Sequence, residues 1–440
     1  GDYILCKVMQ HHFKEGKPQA EIVRIIGSPN QSGLPTEYAL AKYNLGGKNP
    51  ERIVDEKVQA HIKQQTASRK DLRDTHFVTI DAPSTMDMDD ALYAERRDKG
   101  WKLMVAVADP AEFVSIDSDA EKYAKRLGSS YYFPDRKLPM LHPKLANEYC
   151  SLQPEKDRLA LVCTLNIDEE GRIGSSEFTE AAVNCKAKLN YEEVSDKLNN
   201  QAKNDQESEH SLDSQIKCLH EIASCLRARR KEEALVTPDK TEFTLILNAD
   251  KRVASIVPRP STPAHGLIEE IMVATNRAAA AYLKEKTKEA LYAAHSGFRP
   301  ERMEQLKTVV TEQCADFNTD LLETWQGLKH LHNHTAKTEH ELPVEAIASR
   351  MLTRGTLSKT PAPHAGMGLP EYTTFTSPIR KYADLTVHRI IKATLHQKKA
   401  NQLSSRALER LQESLRNGRG AVSETEHWLK CEYAQQLVGQ

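Results

Sequence analysis

The run His76-Phe-Val-Thr-Ile80 passes directly into Asp81-Ala-Pro-Ser-Thr-Met-Asp87-Met-Asp89-Asp90, an apolar, β-branched stretch followed by four carboxylates within ten residues. Ionised side chains packed this closely repel one another, so either one keeps a proton through a raised pKa or a multivalent cation sits among them. Hard divalent cations such as Mg²⁺ and Mn²⁺ take oxygen ligands and keep several waters, which makes the stretch a candidate cage. The bland alternative is a solvated turn or a helix cap, the commoner use of acidic clusters. An EF-hand calcium loop does not fit. Counted from Asp87, its oxygen ligand, Gly and Glu would fall at Ala91, Leu92 and Asp98.

At 440 residues the chain has room for two or three domains, or for one large domain with appendages. No run approaches the ~20 apolar residues of a membrane span, and no charged-then-apolar leader opens it. The expectation is a soluble cytoplasmic protein with no membrane role. Eight cysteines without a C-x-x-C pair argue for reduced thiols and against structural zinc. The formal net charge of -1 gives no sign of a nucleic-acid partner, although a neutral total can hide a basic channel. No long exposed heptad pattern calls for a protein partner.

Along the chain, residues 1 to 27 read as a hairpin from a small β-barrel, turning at Gly16-Lys-Pro18, and such a hairpin must dock on something to be stable. Residues 35 to 75 read as a connector of two helices. Trp101 to Ala108 is a strand that an open sheet would bury, ending in Asp109, for which a turn or cap and a supporting role near the site are both open. Residues 118 to 127 read as a short amphipathic helix. Tyr131-Tyr-Phe-Pro134 leads into a loop broken by Pro139 and Pro143, where aromatics on a stiff segment suit stacking on flat ligands or filling a core edge. Residues 159 to 191 give two or three strands, and Gln201 to Ser214 is polar and loop-like. Leu267 to Leu283 is the clearest buried helix, with Glu270 and Asn276 in need of partners. His330, His332, His334 and His340 read as an exposed polar edge rather than a metal tract. Residues 392 to 440 read as charged amphipathic helix.

A second stretch, Pro363 to Arg389, contains Thr376-Ser-Pro-Ile-Arg-Lys-Tyr-Ala-Asp384. Ser377 suits an N-cap and Pro378 the first helical position, which puts Arg380 at the third. A cation there opposes the helix dipole unless an anion is also present, so free N–H groups and Arg380 together suggest a phosphate site. A plain Arg380 to Asp384 pair on one helix is the alternative. Carboxylates that hold metal ions, with an arginine to neutralise charge at phosphorus, are what metal-assisted phosphoryl transfer uses. Aromatics at Tyr132 and Phe298 would then stack on bases.

Thr79 to Ala91 and Thr376 to Asp384, with Lys186-Ala-Lys-Leu-Asn-Tyr191 and Leu267-Ile-Glu-Glu270 between them, closely resemble the RNB catalytic domain of the ribonuclease II and R family over about residues 70 to 395. The resemblance implies an α+β, mixed α/β fold with a central β-sheet core flanked by helices. It implies metal-dependent, processive 3′-to-5′ hydrolysis of single-stranded RNA to nucleoside 5′-monophosphates, with Mg²⁺ or Mn²⁺. It makes Asp81, Asp87, Asp89 and Asp90 metal ligands, with Asp89 and Arg380 catalytic. Tyr132, Phe298, Tyr191, Ser377 and Arg380 become RNA contacts, Tyr132 and Phe298 clamping the terminal bases and Tyr191 sensing the ribose. The implied layout is an OB-type cold-shock barrel remnant at 1–34, a helical connector at 35–70, the catalytic domain at 71–395 and its helical end at 396–440. A fragment with weaker RNA affinity is expected, since the family carries further barrels at both ends. An RNA-binding module that has lost activity is the competing expectation.

Overall fold

Trp101 to Ala108 forms the middle of a seven-stranded sheet in the computed structural model, which describes residues 1–440 except 11–16, 48, 50–52, 201–210, 238–240, 338–340 and 440. The strand order is Ala187–Asn190, Val78–Asp81, Asp90–Arg97, Gly100–Ala108, Asp157–Ile167, Ile173–Asn184, Lys70–Leu72. The inner pairings are antiparallel and the two edge strands join in parallel. The central strand is apolar on both faces because both faces are covered. Leu103, Val105 and Val107 pack with Leu219, Leu267 and Ile271, from the helices Leu212–Glu233 and Pro263–Lys286. Met104, Ala106 and Ala108 face Ala124, Met140 and Leu145 on the other side. This is the mixed α+β sheet core expected from the sequence.

The hairpin pairs Tyr3–Gln10 with Gln19–Gly27 in antiparallel register, and of its predicted turn Gly16 lies outside the described residues. It docks through Tyr3, whose ring meets Tyr38 at 5.6 Å and Trp428 at 5.5 Å. The connector contains the helices Leu34–Lys42 and Asp55–Ser68, and the amphipathic helix spans Asp119–Leu127. Among the described residues no helix is long and apolar enough to cross a membrane.

Two elements depart from the sequence reading. The C-terminal region is two helices, Tyr382–Leu395 and Ser405–Gln436. The first ends because Gln397 adopts a left-handed φ of 53° and Lys398 N–H turns back to the Ala393 carbonyl at 2.8 Å, a closure that satisfies the last helical carbonyls. The histidines at 330, 332 and 334 lie on the helix Gly327–Thr335, not on an edge; His332 pairs with Glu345 and His334 with Asp316, and His340 lies outside the described residues.

The Ser405–Gln436 helix crosses the site side of the fold at Gly418, where a Cβ would stand 1.8 Å from the Tyr131 ring. Gly418→Ala should therefore destabilise the chain by roughly 1–3 kcal/mol through overpacking, read as a lower urea midpoint. An unchanged midpoint would show that the helix does not approach Tyr131 this closely.

Candidate active site

The acidic stretch leaves the sheet at Asp81, the last residue of its strand, and re-enters at Asp90, the first residue of the neighbouring one. Both carboxylates therefore stand at the same sheet end. The loop between them is tied down at nearly every residue. Thr85 N–H donates to the Ala82 carbonyl, and the Lys188 ammonium donates to the Pro83 and Thr85 carbonyls at 3.1 and 2.7 Å. Met88 N–H donates to Ser151 Oγ, Leu152 N–H to the Met88 carbonyl and Ala108 N–H to the Asp89 carbonyl. A solvated turn would not be held in this way.

The second stretch arrives at the same point. Asp89, 6 % exposed, accepts the Ile379 N–H on Oδ1 at 2.8 Å and meets Arg380 Nε with Oδ2 at 3.3 Å. Arg380 Nη2 also donates to Ser377 Oγ at 3.0 Å, so the serine hydroxyl orients the guanidinium. The predicted helix start is corrected, however. The helix begins at Tyr382, and residues 377 to 380 form a turn in which Ser377 is not an N-cap. The Arg380 carbonyl, which a helix from Pro378 would turn to the Asp384 N–H, is already engaged, and the free N–H that its first turn would offer an anion is taken by Asp89. The Ile379 N–H goes to Asp89, and the Arg380 carbonyl accepts from Ser130 N–H and Ser129 Oγ, each at 2.8 Å. The helix-terminus phosphate site thus falls away, while the arginine stays beside the aspartates. Asp384 does not pair with Arg380 along a helix; it accepts from Ser377 N–H and Thr374 Oγ1 instead.

Burial pushes the Asp89 carboxyl up to about 7, against the opposing pull of Arg380 and the Ile379 N–H. It raises Asp81 to about 6, with Lys188 opposing and Asp87 adding. Asp90 is raised well above its ordinary value by burial and by the charges of Asp81 and Asp89. The Lys137 ammonium pairs with Asp87 at 2.5 Å. The loop therefore holds one buried carboxylate, Asp89, and two half-buried ones, Asp81 and Asp90, with affinity for a positive charge that Arg380 and Lys188 only partly meet. Oxygen donors in that state fit a hard divalent cation.

Tyr132 is 50 % exposed beside this group, with the Lys137 ammonium 5.2 Å from its ring centroid. Tyr191 follows Asn190, the strand partner of Asp81, and its ring stacks on His265 at 3.9 Å. Burial first, then the charges of Asp81 and Asp90, push its hydroxyl up to about 12. Phe298 is not at an open surface: it is 5 % exposed and fills a separate apolar cluster with Leu306, Val310 and Leu331. Lys137 and Ser151 escaped the sequence reading because each reaches the loop from a distant segment with no local spacing to mark it; Lys188 lies in the Lys186–Tyr191 segment, but its hold on the loop was not read there.

Asp109 stands at the N-cap position of the short 3-10 helix Pro110–Glu112, but its side chain caps nothing there. It gathers with Glu112 and Glu180, their oxygens within 4.8 Å of one another, the one trio this tight among the described residues. Arg69 and Lys392 occupy that cluster, with contacts of 2.6 to 3.3 Å, and although burial alone would raise the Asp109 carboxyl, the two cations hold it well below its ordinary value. The loop aspartates are less tightly gathered and far less neutralised.

Comparison with known proteins adds the following. The RNB domain family model matches residues 69–397, and a cold shock domain model matches residues 1–50. Exoribonuclease 2 of Yersinia pseudotuberculosis serotype IB (strain PB1/+) is 33% identical over 447 residues, a match covering 100% of this chain and 68% of that protein. Exoribonuclease 2 of Pasteurella multocida (strain Pm70) is 33% identical over 456 residues with the same coverage. Among solved structures, Mycoplasma genitalium RNase R in complex with ribose methylated single-stranded RNA superposes with a TM-score of 0.83 at 22% identity, over 99% of this chain and 70% of that one. Yeast Ssd1, a pseudonuclease, superposes with a TM-score of 0.73 at 19% identity, over 97% and 54%. A shared fold at these identities therefore includes a protein without nuclease activity, and the site residues must decide.

An unfolded chain has Asp pKa values of about 3.9, so between that value and 6 to 7 the folded state holds protons that the unfolded state has lost. The stability this contributes is present at low pH and lost as pH rises through that window. In chelator, the urea midpoint of wild type should fall more steeply from pH 5 to pH 8 than that of Asp89→Asn. Equal slopes would contradict burial as the source of the shift.

Proposed function

Because the chain belongs to the RNB domain family, whose curated members include the exoribonucleases it resembles at 33% identity, we propose that its acidic loop and Arg380 hydrolyse single-stranded RNA from the 3′ end, processively, to nucleoside 5′-monophosphates. The chain is an exoribonuclease; direction, product and metal are the finer parts of the proposal. The observation that carries it is the meeting of buried Asp89 with both Ile379 N–H and Arg380 inside a group of under-neutralised carboxylates.

Asp81, Asp87, Asp89 and Asp90 would hold Mg²⁺ or Mn²⁺, which when bound supplies an activated water and charge stabilisation at the scissile phosphate. Asp87 would first have to exchange its Lys137 partner, which could turn to the RNA backbone. The chain's own work is positional and electrostatic. Arg380, oriented by Ser377 Oγ, faces the phosphate and neutralises the charge that builds there. Tyr132 offers an exposed ring to a terminal base, and Tyr191, backed by His265, reaches toward the sugar. Phe298 receives no RNA contact here, since its ring would have to leave its cluster. In this reading residues 71–395 form the catalytic unit, 1–34 a cold-shock barrel portion, 35–70 its connector and 396–440 the closing helices. The enzyme would work in the cytoplasm.

The competing reading, an RNA-binding module without activity, is kept in view by the pseudonuclease neighbour. The presence here of all four aspartates and the arginine favours the enzyme. With 5′-labelled single-stranded RNA and Mg²⁺, wild type should shorten the strand stepwise, Asp89→Asn should stop shortening while still binding, and Arg380→Ala should slow it by about 10²–10³-fold, the usual cost of one stabilising donor. Binding by wild type without shortening would overturn the proposal in favour of the module.

A further inference from the structure

The segment that delivers Arg380 is gripped from residue 372 onward, and the grip centres on a carboxylate outside the acidic loop. Asp384 is fully buried, accepting Ser377 N–H on Oδ2 at 2.9 Å and Thr374 Oγ1 on Oδ1 at 2.6 Å. Among the described residues no lysine, arginine or histidine forms an ion pair with it. Burying a carboxylate on two neutral donors is a poor way to gain stability, and an apolar side chain of similar volume is commonly as good or better.

Phe375, one of the two residues between its partners, is held as firmly. Phe375 N–H donates to Asn276 Oδ1 at 2.8 Å, and the Phe375 carbonyl accepts from His388 Nε2 at 2.8 Å. The His388 ring stacks on that of Phe375 at 4.4 Å, and Asn276 Nδ2 reaches Tyr372 OH at 2.8 Å. Asp384 and His388 lie one turn apart on the helix Tyr382–Leu395, while Asn276 comes from the long helix Pro263–Lys286. Side chains from two helices therefore hold 372–377. The hold ends at Ser377, whose carbonyl accepts from Arg380 and Lys381 N–H at 3.3 and 2.9 Å and whose Oγ accepts from Arg380 Nη2. Only one turn of backbone separates Asp384's hydrogen bond from the two contacts on Asp89.

We propose that Asp384 is a positioning residue for phosphodiester hydrolysis, its two hydrogen bonds setting the 374–377 segment that aims the Arg380 guanidinium at Asp89. The proposal rests on the exoribonuclease reading above. A displacement of about 1 Å at a group of this kind can cost on the order of 10²-fold in rate, so a buried carboxylate poor for stability is explicable by what it aims.

The test is single-turnover cleavage at saturating RNA with Mg²⁺, with RNA affinity measured separately in chelator. Asp384→Ala should slow cleavage by about 30-fold or more and alter affinity by less than about 3-fold, since no RNA contact is lost. Asp384→Asn can keep both bonds, its oxygen to Ser377 N–H and its amide to Thr374 Oγ1, and should stay within about 5-fold of wild type. In an Arg380→Ala background, Asp384→Ala should cost less than about 3-fold more, because residues acting through one another are not additive. Cleavage by Asp384→Ala at the wild-type rate, equal loss in Asp384→Asn and Asp384→Ala, or the same fold loss in both backgrounds would each overturn the proposal. If Asp384→Ala lacks a cooperative unfolding transition, Thr374→Val removes one of the two bonds at a half-buried residue; its rate loss should likewise vanish in the Arg380→Ala background, and persistence there would overturn the proposal. Wild type that shortens no RNA would sink the exoribonuclease reading itself, whereas active wild type with an unaffected Asp384→Ala sinks only this one.

Discussion

Asp89 joins two parts of the chain 290 residues apart, accepting the Ile379 N–H on one oxygen and facing Arg380 with the other. Removing a carboxylate from water is costly unless charge and hydrogen bonds replace the lost hydration, and here they come from a turn that cannot form without its own supports. The sheet places Asp81 and Asp90 at one end. Ser151, Ala108 and Lys188 hold the loop between them, and Ser129 and Ser130 hold the arginine turn from behind. The fold around the site is largely the apparatus that makes this single meeting possible.

Two acidic groups near the same strand show what the chain does with buried charge. At the end of Gly100–Ala108, Asp109 with Glu112 and Glu180 is answered by Arg69 and Lys392, and the Asp109 carboxyl is held low. At the start of Asp90–Arg97, whose Asp90 pairs with Val107 on that strand, the carboxylates keep too little positive charge and are held high. The first group is internally closed and structural in character. The second is open to one more cation, and it is the one beside the exposed Tyr132 ring.

What could be read from the sequence was whatever a few neighbouring residues determine. The spacing of Asp81, Asp87, Asp89 and Asp90 marked the loop, apolar continuity from Trp101 to Ala108 marked the central strand, and helical periodicity marked Leu267 to Leu283. The misreadings came where distant groups decide. Ser377-Pro378 has the composition of a helix start, but Ser130 N–H and the Ser129 hydroxyl claim the Arg380 carbonyl, so the helix waits until Tyr382. The resemblance sets Phe298 against a terminal base, yet its ring lies in a cluster with Leu306, Val310 and Leu331 that no local pattern announces. Lys137 neutralises Asp87 from 50 residues away, a pairing visible only once the chain is folded.

The central claim is that the acidic loop is completed by a divalent cation that displaces retained protons. Calorimetric titration of the metal-free protein with Mn²⁺ near pH 6, repeated in buffers of different ionisation enthalpy, measures both binding and the protons set free. Saturable binding with net proton release, lost in Asp90→Asn, is the expected result. Absence of binding, or binding of equal strength and without proton release in both proteins, would contradict it.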